Sequence, residues 1–416
     1  MPHPPRKPEL LAPAGNPEKL RIALHYGADA VYLGGPAFGL RRRAGNFTVA
    51  ELTEAVAYAH RHRAKVYLTV NSYPDNGELP ALERYLAEVA TLPIDAYIVT
   101  DPGVLELVRA IAPERPLHLS TQANTGNWRS VQFWQRQGVS RVNLAREVTL
   151  DELRDIRARS DLELEVFVQG ALCIAYSGRC LLSSALAGRS ANRGDCAHPC
   201  RWRYALVEET RPDEPLPVHE EDGGTFIFNS KDLCLLPHLP ELLESGVDAL
   251  KIEGRMKGIH YLATTVRVYR EALDRYWDDP EGYHCRPEWL AELGTISHRG
   301  YTTGFLFGAP RDIAQEYDAR YRQSHDLVGV VEAVEAGGTV VIGVRNRLAS
   351  GETVEVIGPR MRTVSCRLPE MVDEAGVPLA VAHPNERVRV RLPVAVARFD
   401  LLRRVKAVSQ PAHADS

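Results

Sequence analysis

The sequence predicts an α/β fold: a TIM-like (β/α)₈ barrel with a cysteine-rich insertion after strand 7, followed by a small C-terminal all-β domain. Three observations carry this. The first 280 residues alternate β-prone runs with helical stretches eight times. Four of the seven cysteines cluster within 28 residues inside one over-long step of that alternation. From about Tyr321 the hydrophobic pattern changes to period two.

The β-prone runs are Glu9–Pro13, Ala30–Gly34, Val66–Asn71, Ala96–Thr100, Leu117–Thr121, Val142–Ala145, Leu164–Gln169 and Ala249–Glu253. Helical stretches start near Pro17, Val49, Leu79, Gly103, Trp128, Leu150, Leu236 and His260. Strands alternating with helices imply a parallel sheet with helical crossovers. Eight units in this length fit a closed barrel; a doubly wound open sheet is the alternative. The step from the seventh run to the eighth is about three times the usual one, and an insertion at the C-terminal end of a barrel strand lies on the catalytic face. The expected domains are residues 1–280 for the barrel, with the insertion at about 171–235, a connector at 281–320 and a β-barrel domain at 321–408. Residues 409–416 are expected to fray. In the β domain, VGVVEAV, TVVIGV, ETVEVIG and ERVRVRLP alternate as antiparallel strands do.

Composition is that of a globular protein, with 44% hydrophobic and 25% charged residues. No apolar run reaches the length of a membrane span, and the first residues carry no apolar signal-peptide core. A cytoplasmic location without a membrane partner is the expectation. The net charge of −4 is not that of a general nucleic-acid binder. Residues 208–222, however, hold seven acidic residues against one Arg, so the rest of the chain is slightly positive.

The cysteine cluster reads Cys173-x6-Cys180-x15-Cys196-x3-Cys200. An odd cysteine total in a cytoplasmic chain argues against a disulfide framework. Four thiolates suit a [4Fe–4S] cube or tetrahedral zinc, and plain buried cysteines are the third reading. Cys234 is a possible fifth thiol near the site. Cys285 and Cys366 read as core or surface residues.

Strand ends supply a polar crown: Asn71, Asp101, Gln122, Asn124, Arg146, Glu147, Gln169, Glu253 and Arg255. Lys251 and Glu253 are two apart on one strand and so face the same way, and such a pair inside a barrel must be paired or bind something polar. They are the candidate catalytic residues. Arg41 and Arg43, in the Gly-rich loop after the second strand, could clamp a carboxylate or phosphate with Arg146 and Arg255. Arg201, Trp202 and Arg203 follow Cys200 and could stack on a nucleic-acid base. The Ser297–Tyr301 stretch reads equally as a loop. No HExxH or GxSxG motif is present.

The segments ELLAPAG, GADAVYLGG, EVFVQGALCIAYSGRCLLS, NSKDLC, LKIEGRMK and SHRGYTTGF resemble the collagenase-like peptidase family, family thirty-two of unknown catalytic type. The resemblance runs from about residue 8 to 400. Chain length, GLRRRAGNF and the C-terminal β domain are most similar to its prephenate-dependent tRNA uridine 5-hydroxylases. That resemblance implies a TIM-like barrel with a [4Fe–4S] cluster on Cys173, Cys180, Cys196 and Cys200. It implies oxygen-independent hydroxylation of the wobble uridine in the tRNA anticodon loop, with prephenate required. Cys234 departs from the subgroup's pattern; relatives acting on quinones draw a ligand from a similar downstream position. Competing readings are a ribosomal RNA or quinone hydroxylase, a peptidase acting on collagen-like chains, and a non-catalytic RNA-binding module.

Overall fold

The computed structural model describes residues 6–40, 45–173, 175–202, 205–208, 211–217, 231–308 and 322–406. The chain divides into two compact units, residues 1–286 with 298–321 and residues 287–297 with 322–416. Residues 281–320, expected as one connector, are therefore shared between the units. The short helix Pro287–Leu293 belongs to the second unit, where its buried Glu292 pairs with Arg403 at 2.7 Å.

In the first unit, β1 (Glu9–Pro13), β2 (Ala30–Gly34), β3 (Lys65–Val70), β4 (Ala96–Val99), β5 (Leu117–Leu119), β6 (Arg141–Asn143) and β7 (Glu163–Ala171) pair in sequence, all parallel. After the short hairpin strands β8 (Ala205–Glu208) and β9 (Arg211–Pro217) and the strand β10 (Asp232–Cys234) comes β11 (Ala249–Ile252). Strand β11 pairs with both β1 and β7, so eight strands close into a barrel. The end of β7 also carries β10 in antiparallel register, Cys234 opposite Gln169. Strand β12 (Tyr301–Thr302) extends that edge.

The crossover helices are α1 (Pro17–His25), α2 (Val49–Arg61), α3 (Leu79–Val89), α4 (Pro102–Ile111), α5 (Trp128–Arg136) and α6 (Leu150–Ala158). Their starts are written in the sequence. Asn16 and Asn127 cap α1 and α5 through side-chain oxygens, and Thr48/Glu51 and Thr149/Glu152 form capping boxes on α2 and α6. Each such cap is worth about 1 kcal/mol. Helix α7 (Leu182–Ala187) lies in the cysteine segment, α8 (Leu239–Glu244) precedes β11, and α9 (Ile259–Asp278) follows it. Helix α9 is buried along most of its length, where Tyr269 donates to the Val168 carbonyl at 2.7 Å.

The second unit begins with α10 (Pro287–Leu293) and contains β13 (His325–Val334), β14 (Val340–Val344), β15 (Leu348–Ala349), β16 (Thr353–Ile357) and β17 (Thr363–Arg367). It continues with β18 (Met371–Val372), β19 (Pro378–Leu379), β20 (Val381–Ala382), β21 (Arg387–Val390) and β22 (Leu401–Val405). Eight of these strands form one antiparallel sheet around a Val/Ile/Leu core that includes Cys366. The four runs read from the sequence correspond to β13, β14, β16 and β21. The end strands β17 and β19 do not pair with each other, so the hydrogen-bonded ladder is open where a closed barrel was expected. Several added strands are only two residues long, too short to show a period.

Candidate active site at the barrel mouth

Alternate side chains of a barrel strand point inward. One interior layer is apolar, built from Leu11, Ala30, Tyr67, Ala96, Ile98 and Tyr32. Beneath and beside it runs a charged network. Arg141 bonds Glu9 at 2.7 Å and Glu163 at 2.8 Å, Tyr67 donates to Glu9, and Lys251 Nζ lies 2.7 Å from Glu165 Oε1. Burial works against these charges, but Arg141 holds the Glu9 carboxyl below its usual range, and Glu9 and Glu165 in turn raise the Arg141 guanidinium. His118, buried among Arg141, Lys251 and Lys65, is pushed well below the ordinary imidazole range by burial and by those cations.

Above the network, at the C-terminal ends of the strands and so on the face where barrel enzymes work, is a cavity of about 40 Å³. Lys251, Glu253, Arg146 and Arg255 all line it, with Asn71 and Gln122 from the crown.

The pairing differs from the sequence expectation. Lys251 bonds Glu165, not Glu253, because β11 shifts register between Lys251 and Ile252 and ends there. Glu253 instead stands 3.5 Å from the Tyr32 hydroxyl and 3.9 Å from Arg146. Lys251 Nζ also sits 4.5 Å from the Tyr32 ring centroid and 5.6 Å from that of Phe167.

Arg146 lies over the Phe167 ring, its guanidinium carbon 4.1 Å from the centroid. Apart from the long approach to Glu253, its guanidinium has no hydrogen-bonding partner among the described residues. Arg255 is more constrained. It donates to Thr69 Oγ1 at 2.8 Å, the Leu40 carbonyl at 2.7 Å and Asn46 Oδ1 at 3.1 Å. A Cβ on Gly34 would come within 2.9 Å of it, so the glycine admits the guanidinium. Arg255 thus fixes the β2 loop while showing an edge to the cavity.

The rest of the crown turns away. Asp101 accepts from Gly103 and Val104 as the cap of α4, and Asn124 takes a left-handed backbone and donates to Gln122 O. Gln169 accepts from Tyr269, and Glu147 does not line the cavity. Nearby backbone and tyrosine groups engage these side chains, although Asn124 Oδ1 and Gln169 Nε2 are buried without a hydrogen-bond partner. Asn71 and Gln122 do reach the cavity, bonded to each other at 3.2 Å. Sequence reasoning missed Tyr32, Glu165 and Phe167. The signal was a Glu in the middle of an apolar strand, two residues from Phe167 and so on the same inward face.

The cysteine segment covers part of this mouth. Gly178, at φ +74°, leaves only 3.2 Å between an added Cβ and the Gln122 side chain. Arg193 bonds Asp75 at 3.2 Å and Glu78 at 2.5 Å on the loop after β3. Cys173 is exposed, Cys180, Cys196 and Cys200 are half-buried, and all are free of disulfides. The His198 amide donates to Cys196 Sγ at 3.3 Å. By kind and accessibility these four donors fit a thiolate-bound metal group. Among the described residues, however, no three His, Cys, Asp or Glu side chains are gathered closely enough to hold a metal ion. Cys234 is a different thiol. It is buried in β10, and burial pushes it up to about 11, which disfavours the ligating thiolate.

Trp202 is 46% exposed and Tyr176 53% exposed, so Trp202 is not packed away against the barrel. Arg41, Arg43, Arg203 and the Arg201 side chain lie outside the described residues. The Ser297–Tyr301 stretch is structural: Arg299 pairs with Asp232 at 2.6 Å, both buried, beside the β10–β12 contact.

Two family models match the chain, Peptidase family U32 over residues 15–316 and the Peptidase family U32 C-terminal domain over 323–403. The chain is 41% identical over 404 residues to tRNA hydroxylation protein P1 of Bacillus subtilis, covering 96% of each protein. It is 38% identical over 430 residues to tRNA hydroxylation protein P of Escherichia coli, covering 93% of this chain and 94% of that one. To a 23S rRNA 5-hydroxycytidine synthase of Escherichia coli it is 40% identical over 371 residues, covering 86% of this chain and 54% of that one.

Proposed function

The chain belongs to peptidase family U32, and from that membership we propose that it is a tRNA hydroxylase. In this reading it forms 5-hydroxyuridine at the wobble position of the anticodon loop, without molecular oxygen, and with prephenate as co-substrate. Its tRNA-hydroxylating relatives, matched along nearly the whole chain, support the RNA substrate.

The observation that carries the site assignment is Arg146. A guanidinium at the mouth of a cavity, with no partner among the described residues closer than Glu253 at 3.9 Å, is suited to a bidentate carboxylate contact. Lys251 supplies a second cation deeper in the same cavity, and Arg255 presents an edge beside it. A small dicarboxylate could therefore be held at both ends, oriented by Tyr32 and Asn71. Exposed Trp202 and Tyr176 beside the cysteine segment offer stacking faces for a base splayed from a single-stranded loop.

Cys173, Cys180, Cys196 and Cys200 would hold a [4Fe–4S] cluster as its thiolate ligands. When bound, such a cluster supplies one-electron transfer or Lewis acidity. The residues of the chain itself bind the acid, keep its carboxylates fixed and screen them from water. The peptidase reading has less support, since among the described residues no His or Cys lines the cavity.

The test is nucleoside mass spectrometry of RNA from a deletion strain. Loss of 5-hydroxyuridine derivatives from tRNA, restored by the wild-type gene and not by Arg146→Ala, is the expected result. Unchanged tRNA would reject the proposal. A change confined to ribosomal RNA would favour the second reading, for which the similarity to the 23S rRNA synthase is the motivation.

A further inference from the structure

Two tight turns meet at one end of the second unit's sheet. The first joins β16 to β17. Arg362 N–H donates to the Pro359 carbonyl at 3.1 Å, and both central residues, Arg360 and Met361, take positive φ, 52° and 55°. The second leads into β22. Asp400 N–H donates to the Ala397 carbonyl at 3.1 Å, and the second central residue, Phe399, sits at φ +75°. Such positions usually carry Gly or Asn, because a Cβ crowds the left-handed backbone. Each turn carries instead the same pair, an arginine followed by a large apolar side chain.

The turns are stapled together. Strands β16 and β22 are neighbours, with Ile357 opposite Leu401. Arg362 pairs with the fully buried Asp400 and donates to the Ala395 carbonyl at 2.9 Å. Asp400 also accepts from Ala397 N–H at 2.7 Å. A Cβ on Gly358 would collide with the Arg362 guanidinium, so the glycine admits it. Left-handed backbone in non-glycine residues persists only where its surroundings enforce it, and it gathers at functional sites. What is enforced here is the outward presentation of Arg360 and Arg398.

Both arginines are exposed, and neither guanidinium has an ion pair or hydrogen bond among the described residues. The Arg398 guanidinium carbon lies 4.8 Å from the Phe399 ring centroid. Acidic groups at this end of the sheet are engaged elsewhere: Asp400 by Arg362, Glu332 by Arg387 and Glu335 by Arg389. A narrow cationic edge is left, with half-buried Met361 and Phe399 beside it.

Guanidinium forks match phosphate oxygens bidentately, and apolar or stacked planes next to them suit the bases of a single strand. A lipid surface calls for a broader amphipathic face than two turns offer. We propose that the paired turns are an RNA contact of the second unit, with Arg360 and Arg398 on backbone phosphates and Met361 and Phe399 against the adjoining nucleotides. The proposal rests on the tRNA reading for which RNA is bound, and on the turns for where.

The test is fluorescence-anisotropy titration of the full chain with labelled tRNA over a salt series. Arg360→Gln/Arg398→Gln should weaken binding about tenfold at low salt and flatten the log–log salt slope by about 1.5 to 2, as loss of two phosphate contacts requires. Arg347→Gln removes an exposed arginine at the opposite end of the same sheet and should change neither. Arg360→Gly relieves the left-handed backbone. It should raise the urea midpoint while weakening binding, which separates a lost contact from a lost fold.

Wild-type affinity and slope in the double variant would overturn the proposal and leave the tRNA reading standing. Equal losses in Arg347→Gln would overturn it as well, since any exposed charge would then serve. A wild-type chain that binds a ribosomal RNA fragment but not tRNA would reject the tRNA reading, with the double variant deciding the contact on that RNA. Binding of neither RNA would overturn both. Loss of binding to phosphatidylserine vesicles, with RNA binding intact, would assign the turns to a membrane surface instead.

Discussion

Arg146 stacks on Phe167, with its guanidinium carbon 4.1 Å from the ring centroid. The ring holds the planar group from one side and leaves its N–H edge free for a ligand. A desolvated Arg–carboxylate contact is worth about 1.5–3 kcal/mol, roughly a 10- to 150-fold change in affinity. Arg146→Ala should weaken prephenate binding by that factor in calorimetric titration. Arg146→Lys keeps the charge but lacks the fork, and should recover only part of it. Wild-type affinity in Arg146→Ala would remove the residue from the site.

The cysteines should divide into two chemical classes. Anaerobically prepared protein is expected to absorb near ~400 nm from thiolate-to-iron charge transfer. Cys173→Ala or Cys180→Ala should abolish that band, and Cys234→Ala should leave it. In metal-free protein at pH 8, iodoacetamide should modify exposed Cys173 well before Cys234, whose thiol is pushed up to about 11 by burial. Stoichiometric zinc without iron would reject the cluster, and rapid alkylation of Cys234 would reject its assignment as an inert thiol.

Arg299 and Asp232 form a buried pair that fastens the segment entering β12 to β10. Removing one partner leaves an uncompensated buried charge, at a cost of about 3–5 kcal/mol. Arg299→Met should therefore lower stability by this amount in chemical denaturation. The double variant Arg299→Met/Asp232→Leu should regain most of the loss. A single variant as stable as the wild type would show that water reaches the pair.

His118 makes stability depend on mildly acidic pH. Burial and three nearby cations depress its folded value well below 6.5, so the fold holds it neutral. The unfolded chain binds that proton and the folded chain does not, hence stability is present above about pH 6.5 and is lost as pH falls below it. One such group contributes a slope of up to roughly 1.4 kcal/mol per pH unit. Between pH 7 and 5, His118→Gln should lose stability less steeply than the wild type by about this amount, as urea midpoints measure. Parallel slopes would mean that His118 is protonated or solvated in the fold.

Much of the barrel was legible because its signals are local. Each strand run is a short apolar stretch with a turn or cap residue after it, and the caps at Asn16, Thr48, Asn127 and Thr149 are set by side chains bonding backbone within three residues. The same locality led the polar crown astray. Asp101 and Asn124 occupy strand-end positions like those of Asn71 and Gln122, and only their bonding partners separate a cap from a cavity wall.

By itself the sequence determined the order of strands and helices, the long step that carries the cysteines, and which strand ends bear cations. Period and capping act between residues a few positions apart, so the chain declares them without its fold. Tertiary structure alone decided that Lys251 pairs with Glu165, 86 residues away, and that Arg146 rests on Phe167 at the cavity mouth. Those choices depend on barrel closure and on the register shift in β11. Closure brings β6, β7 and β11 side by side, and a shift of one residue there changes which carboxylate an inward-facing lysine meets.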